Sequence, residues 1–143
     1  MTTDRKQVAL VTGGRSGIGQ ACARNLASQG IQVFTAQRQD DPEFDSICAD
    51  LADTDAPRQI IEHVTEHAGQ LDILINNAGG TFAAPFLDSD ERGWNALLRA
   101  NLLHVILCTH RVASSMVAAG LGGSIVNVTS IEAHRAAPRF AAY

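Results

Sequence analysis

The segment Thr12-Gly13-Gly14-Arg15-Ser16-Gly17-Ile18-Gly19 carries the first chemistry in the chain. Glycines let a backbone turn tightly and approach a pyrophosphate, and a helix starting there turns its free N–H groups and positive dipole end to that anion. Further along, Asn76-Asn77-Ala78-Gly79 places two amides and a glycine where an apolar run ends, an odd choice for packing alone. Asp50-Leu51 follows another short apolar run, where an Asp can equally cap the next turn. Asn101 interrupts an otherwise apolar helical stripe, so its amide must find hydrogen-bond partners. Ser130 and Tyr143 are hydroxyls beyond the last apolar run. A serine hydroxyl can polarise a reacting oxygen by hydrogen bonding, and a phenol can pass a proton to or from it.

These residues need elements to hold them. Gln7 to Thr12 is short, β-branched and followed by glycines, which predicts a buried strand. A helix is expected from Gly17, with Ile18, Cys22 and Leu26 on one face and Gly30 as its left-handed stop. Strands follow at Ile31 to Ala36 and Ser46 to Ala49. A second helix has Asp55 as cap, Pro57 in its first turn and Gly69 at its end. Leu71 to Ile75 is a fourth strand, and 79–89 a loop. A long helix from about Asp90 to Ala119 carries the stripe Trp94, Leu98, Asn101, Val105, Cys108, Val112 and Met116; Ser124 to Thr129 is the fifth strand. Regular alternation of strand and helix predicts an α/β protein with a doubly wound parallel sheet, and ligands at the carboxyl ends of its strands.

The glycine spacing is G-x-x-x-G-x-G, from Gly13, Gly17 and Gly19, and with Asn77-Ala78-Gly79 it resembles the short-chain dehydrogenase/reductase family. The resemblance runs through all five strand ends and the long helix. It implies a Rossmann fold and assigns cofactor binding to Gly13, Arg15, Ser16, Gly17, Ile18 and Gly19. Asp50 and Leu51 then stand at the adenine, and Asn77, Ala78 and Gly79 beside the ribose. Asn101 matches the family's Asn in a locally distorted helix. Tyr143 follows Ser130 by the family's usual separation of catalytic serine and tyrosine. Asn101, Ser130 and Tyr143 thus inherit the catalytic roles. The family places a lysine four positions after the tyrosine to lower its pKa, and this chain ends first. The fold is therefore expected to be incomplete at its C-terminal side, and the 143-residue chain by itself inactive.

The resemblance also makes the end of the second strand the place where NAD and NADP are told apart. Gln37 stands there instead of an acid, with Arg38 after it and Arg15 in the glycine loop, so NADP is expected in preference to NAD. The expected substrate is a small alcohol or carbonyl compound, and the complete protein is expected to be a homo-oligomer. A non-catalytic dinucleotide-binding protein is the alternative, and the spacing of Ser130 and Tyr143 argues against it. A methyltransferase begins with a similar strand, turn and helix but has no need of Asn77-Ala78-Gly79 or the two hydroxyls.

Composition narrows the field further. The chain is 45% hydrophobic and 18% charged with net charge −4, and no basic run suggests a nucleic-acid partner. No leader-like order opens the chain and no run suffices to span a membrane, so a cytoplasmic protein is expected. Cys22, Cys48 and Cys108 lie among apolar neighbours and read as buried thiols. His63 and His67 are four apart on a helix without a third ligand, so they read as a solvated face and no metal is expected.

Overall fold

The computed structural model describes residues 5–143. Five parallel strands form one sheet: β1 (Val8–Thr12), β2 (Gln32–Gln37), β3 (Asp45–Cys48), β4 (Ile73–Asn76) and β5 (Ser124–Asn127), in the spatial order β3-β2-β1-β4-β5. The chain first builds outwards from β1 to β3, then returns to the other side of β1 with β4. The reversal opens a crevice at the carboxyl ends of β1 and β4, where ligands of such sheets collect.

The alternation of side chains in β1 shows why both faces must be covered. Val8 and Leu10 pack on one side with Phe34, Leu74, Ile60, Val64, Cys108 and Val112. Ala9 and Val11 point to the other, against Ala23, Val33 and Ile75. A strand buried on both faces reads as a continuous apolar run, as β1 does. Helices α2 (Ala56–Ala68) and α4 (His104–Ala118) cover the first face, and α1 (Gly17–Ser28) the second.

The expected boundaries hold to within two residues, with instructive exceptions. Gly30 and Gly69 have φ of 82° and 78°, the left-handed conformation that ends a helix at least cost on a glycine. Asp55 does occupy the cap position of α2 but does not cap it, because its carboxylate is taken by Arg58 and Gln59. Cys48 corrects the expectation of three buried thiols: it ends the edge strand β3 and is exposed, whereas Cys22 is half-buried and Cys108 fully buried.

The long helix is not continuous. Asp90 caps α3 (Glu91–Leu98) by accepting from the Gly93 amide at 3.0 Å; Arg99–Leu103 then forms a π-helical turn before α4 begins. The buried stripe accordingly runs Leu97, His104, Cys108, Val112 and Met116, with Asn101 half-buried between the first two. Trp94 and Leu98, expected on the core side, are exposed. A widened turn rotates the helix before it relative to the helix after it, so a stripe extrapolated across it selects the wrong side chains.

Candidate functional site

The glycine turn is shaped by contacts that exclude side chains. Gly13 and Gly17 have positive φ, 65° and 56°. A Cβ on Gly19 would fall on the Gly13 carbonyl oxygen and lie 2.5 Å from Asn77 Nδ2, and one on Gly14 would lie 2.5 Å from Thr35 Cγ2. The turn is thereby pressed against β2 and β4. Ser16 precedes α1 without capping it through its side chain, so the first N–H groups of the helix remain as donors.

Asn77 fixes the other wall. Its Nδ2 donates to the carbonyls of Thr12 and Gly13 at 3.1 and 3.2 Å, and Thr12 Oγ1 accepts from the amides of both Asn77 and Ala78 at 3.0 Å. One residue earlier, Asn76 is buried and donates to Thr109 Oγ1 and Asn127 Oδ1, joining β4 to α4 and β5. The two adjacent amides thus hold opposite sides of β4 in place.

Two clefts flank the glycine turn. One is lined by Gly13, Arg15, Ser16, Gln37, Arg38, Gln39 and Asp41, and the other includes Ile18, Asn77, Ala78, Gly79, Asn101, Ser130 and Tyr143. In the first, Asp41 is buried: its carboxylate accepts from Thr35 Oγ1 at 3.1 Å and from the Glu43 amide at 3.0 Å. Asp40 accepts from Ser46 Oγ at 2.5 Å, and Glu43 is held by Arg24 in a bidentate pair. That hydrogen bond from Arg24 keeps the Glu43 carboxyl below its ordinary range. Asp40, Asp41 and Glu43 are therefore each engaged. Arg15 reaches the neutral amide of Gln39, and Arg38 is exposed beside it.

In the second cleft Asn101 is held by three hydrogen bonds. Its Nδ2 donates to the carbonyls of Gly80 and Leu97 at 2.7 and 2.9 Å, while Oδ1 accepts from the Gly80 amide at 2.9 Å. Ser130 Oγ accepts from the Glu132 amide at 3.2 Å, and Arg135 holds the Glu132 carboxyl below its ordinary range by a hydrogen bond. Tyr143 is 44% exposed and lines the cleft. The segment before it is tied to the 79–89 loop by Ala84 N donating to Arg139 O at 2.8 Å.

Asp50 and Leu51 stand apart. The Asp50 carboxylate accepts from the Ala52 amide at 2.9 Å, the local turn that an Asp there equally predicts, and Leu51 is buried in the core. His63 and His67 stack on one helix with centroids 4.0 Å apart, and among the described residues no group of three metal-binding side chains converges. His104 is the buried residue behind Asn101 that stripe reasoning missed. It is buried next to Asn101, and the signal was present in its spacing, three after Asn101 and four before Cys108.

Parallel strands, a glycine turn opening a helix and a crevice at the switch of strand order define a doubly wound α/β fold of the Rossmann type. The model of the short chain dehydrogenase family matches residues 7–143, and the chain belongs to that family. It is 31% identical over 151 residues to an uncharacterized oxidoreductase, YohF, of Escherichia coli, covering 96% of this chain and 60% of that protein. It is 35% identical over 144 residues to carbonyl reductase [NADPH] 2 of Sus scrofa, covering 94% and 57%. Among solved structures, a short chain dehydrogenase from Bacillus anthracis superposes with TM-score 0.86 at 28% identity, over 95% of this chain and 62% of that one. The chain thus spans about three-fifths of the length of these curated relatives.

Proposed function

We propose that these residues belong to an NAD(P)-dependent oxidoreductase that interconverts a carbonyl and a hydroxyl group on a small molecule. The observation that carries this reading is the second cleft, which Asn101, Ser130 and Tyr143 line together with Ala78 and Gly79. The chain fits a dinucleotide: the uncapped start of α1 can take a pyrophosphate, and the close packing of Gly14 and Gly19 lets backbone rather than side chains approach it. When bound, the nicotinamide supplies hydride-transfer chemistry. Ser130 polarises the substrate oxygen through its hydroxyl, Tyr143 gives or takes the proton at its phenol oxygen, and Asn101 orders the backbone beside them. Asp50 and Leu51 would contribute through backbone at the adenine end.

NADP is the proposed preference. In the first cleft the acids are engaged and Arg15 and Arg38 remain, a donor set suited to a 2′-phosphate. The pig relative's printed name, a carbonyl reductase using NADPH, agrees. We extend the reading to a cytoplasmic homo-oligomer when the protein is complete. No helix among the described residues is long and apolar enough to cross a membrane.

The test is reduced-cofactor oxidation by a complete protein carrying these residues, with a panel of small aldehydes and ketones, against its Tyr143→Phe variant. Turnover lost in the variant with cofactor binding kept supports the reading. Equal turnover in both sinks it, and cofactor binding with no turnover on any carbonyl favours the non-catalytic alternative.

A further inference from the structure

His104 is a buried titratable group that the proposed chemistry does not use. It is 1% exposed, at the first position of α4 and directly after the π-helical turn. Widening a helix to a π turn disturbs the regular ladder and leaves carbonyls to be satisfied in other ways. Two side chains serve this turn. Asn101 Nδ2 donates to Leu97 O at 2.9 Å, and His104 Nε2 lies 2.9 Å from Ala100 O, in each case reaching back four residues. A carbonyl only accepts, so Nε2 carries the proton. Nδ1 of the neutral ring is then an acceptor, and among the described residues no donor reaches it.

That unpartnered nitrogen is informative because it costs stability. A leucine would fill the same space with no such cost, so packing alone does not explain a histidine here. What only the imidazole adds is a donor on the Ala100 carbonyl, in the turn that carries Asn101. Burial lowers the pKa of His104, and the carbonyls of Ala100, in the π turn, and of Ala78, just past the end of β4, oppose this. Asn101 bridges the same two elements through Gly80, whose amide and carbonyl it engages together. The tolerance is small, since a Cβ on Gly79 would come within 2.7 Å of Asn101 Oδ1.

We propose that His104 is a positioning residue: by donating Nε2–H to the Ala100 carbonyl it holds the π turn in the shape that lets Asn101 grip Gly80 on the wall of the second cleft. Its consequence for turnover rests on the functional reading above, whereas the clamp does not. His104→Leu removes the donor and keeps an apolar filling; His104→Gln restores an N–H of similar reach.

The experiment uses a complete protein carrying these residues. Hydrogen exchange of the Gly80 amide, which donates to Asn101, reads the clamp without any cofactor or substrate. Exchange is expected to be about tenfold faster in His104→Leu and to return to within about threefold of wild type in His104→Gln. In steady state, kcat falls about tenfold in the leucine variant while the dissociation constant for NADPH moves less than about threefold. Nitrogen-15 shifts of the wild-type ring report the Nε2–H tautomer. Unchanged Gly80 exchange in a folded leucine variant overturns the proposal, as does an Nδ1–H tautomer or a folded glutamine variant that fails to restore protection. Should the leucine variant not fold, the tautomer and the glutamine variant decide. Failure of the functional reading is distinct: wild type then transfers no hydride to any carbonyl while Gly80 still responds as stated.

Discussion

Thr12 and Asn77 hold each other across the crevice between β1 and β4: the threonine hydroxyl accepts from the Asn77 amide at 3.0 Å, and the asparagine side chain donates to the Thr12 carbonyl at 3.1 Å. This reciprocity joins the strand that opens the glycine turn to the strand that forms its far wall. Thr12 is fully buried, so Thr12→Val leaves the amides of Asn77 and Ala78 without their acceptor. The expected loss is about 1–3 kcal/mol for each amide left unpaired, read as a shift of the urea midpoint. A midpoint unchanged within error would mean that water or a small backbone movement takes over both bonds.

Two glycines of the turn should respond differently to alanine. Gly17 has φ of 56° but open space where a Cβ would stand, so Gly17→Ala costs only backbone strain, about 1–2 kcal/mol. At Gly19 an added Cβ meets the Gly13 carbonyl and Asn77 Nδ2, and both belong to the proposed cofactor wall. Gly19→Ala is therefore expected to weaken NADPH binding more than Gly17→Ala does, measured by fluorescence titration. Equal effects would show that the collision is relieved without moving the turn.

The doubly wound parallel sheet and the burial of β1 were legible because apolar runs and glycines report directly on buried strands and left-handed stops. The boundary shift at β4 has a local cause: Asp72 contacts the backbone of Val8 through both its amide and its carboxylate, so an ordered bridge precedes Ile73 where regular pairing starts. The π turn was not legible from periodicity, because a single widened turn changes the phase without changing residue types. That is why Val105 stood in the expected stripe where His104 belongs. At the site, Asn77 and Asn101 were conspicuous as amides where apolar residues would pack. The engagement of Asp40 and Asp41 by Ser46 and Thr35 depends on how the 40–46 segment folds back, which residue spacing does not encode.

The three cysteines should separate by reactivity. Burial pushes the Cys108 thiol up to about 11, against 9.0 for an ordinary thiol, so at pH 8 it is almost wholly protonated and shielded. Cys48 is exposed. Iodoacetamide at pH 8 is expected to modify Cys48 first and Cys108 only after denaturant is added, resolved by peptide mass mapping. The sign for stability follows, because the raised pKa means that the folded state holds its proton longer. The thiol's contribution is complete below about pH 9 and is lost as pH rises towards 11. Rapid labelling of Cys108 in the native protein would contradict its placement between the sheet and α4.

Asp72 should be a stability residue with no part in the chemistry. It is buried at the amino ends of the strands, opposite the clefts, and accepts from Arg5 at 2.7 Å, from the Val8 amide at 2.8 Å and from Gln70 at 2.9 Å. Asp72→Ala leaves the Val8 amide buried and unpaired and is expected to cost about 1–3 kcal/mol. Per folded molecule, kcat should stay within about twofold of wild type, since the substitution removes no group made use of in the transition state. A selective loss of kcat at unchanged stability would place the two ends of the sheet in communication.

The choice between cofactors turns on how charge is distributed in the first cleft. An acidic side chain facing the ribose would repel a 2′-phosphate, but Asp40, Asp41 and Glu43 each already accept hydrogen bonds from Ser46, Thr35 and Arg24. Among the described residues Arg15 is paired only with the neutral Gln39 amide, and Arg38 is exposed and lines the same cleft. A charge-assisted hydrogen bond contributes about 1.5–3 kcal/mol, so Arg38→Ala should weaken NADPH binding about tenfold to a hundredfold while leaving NADH nearly unchanged. Arg15→Ala should act in the same direction and more weakly if the glutamine pairing persists in the complex. Releasing an acid is the complementary test: Thr35→Val removes the donor to Asp41 Oδ2, and a freed carboxylate at this cleft should lower NADPH affinity without lowering that for NADH. If Arg38→Ala weakened both cofactors equally, the arginine would be serving the shared pyrophosphate or the fold, and the proposed preference for NADP would fall.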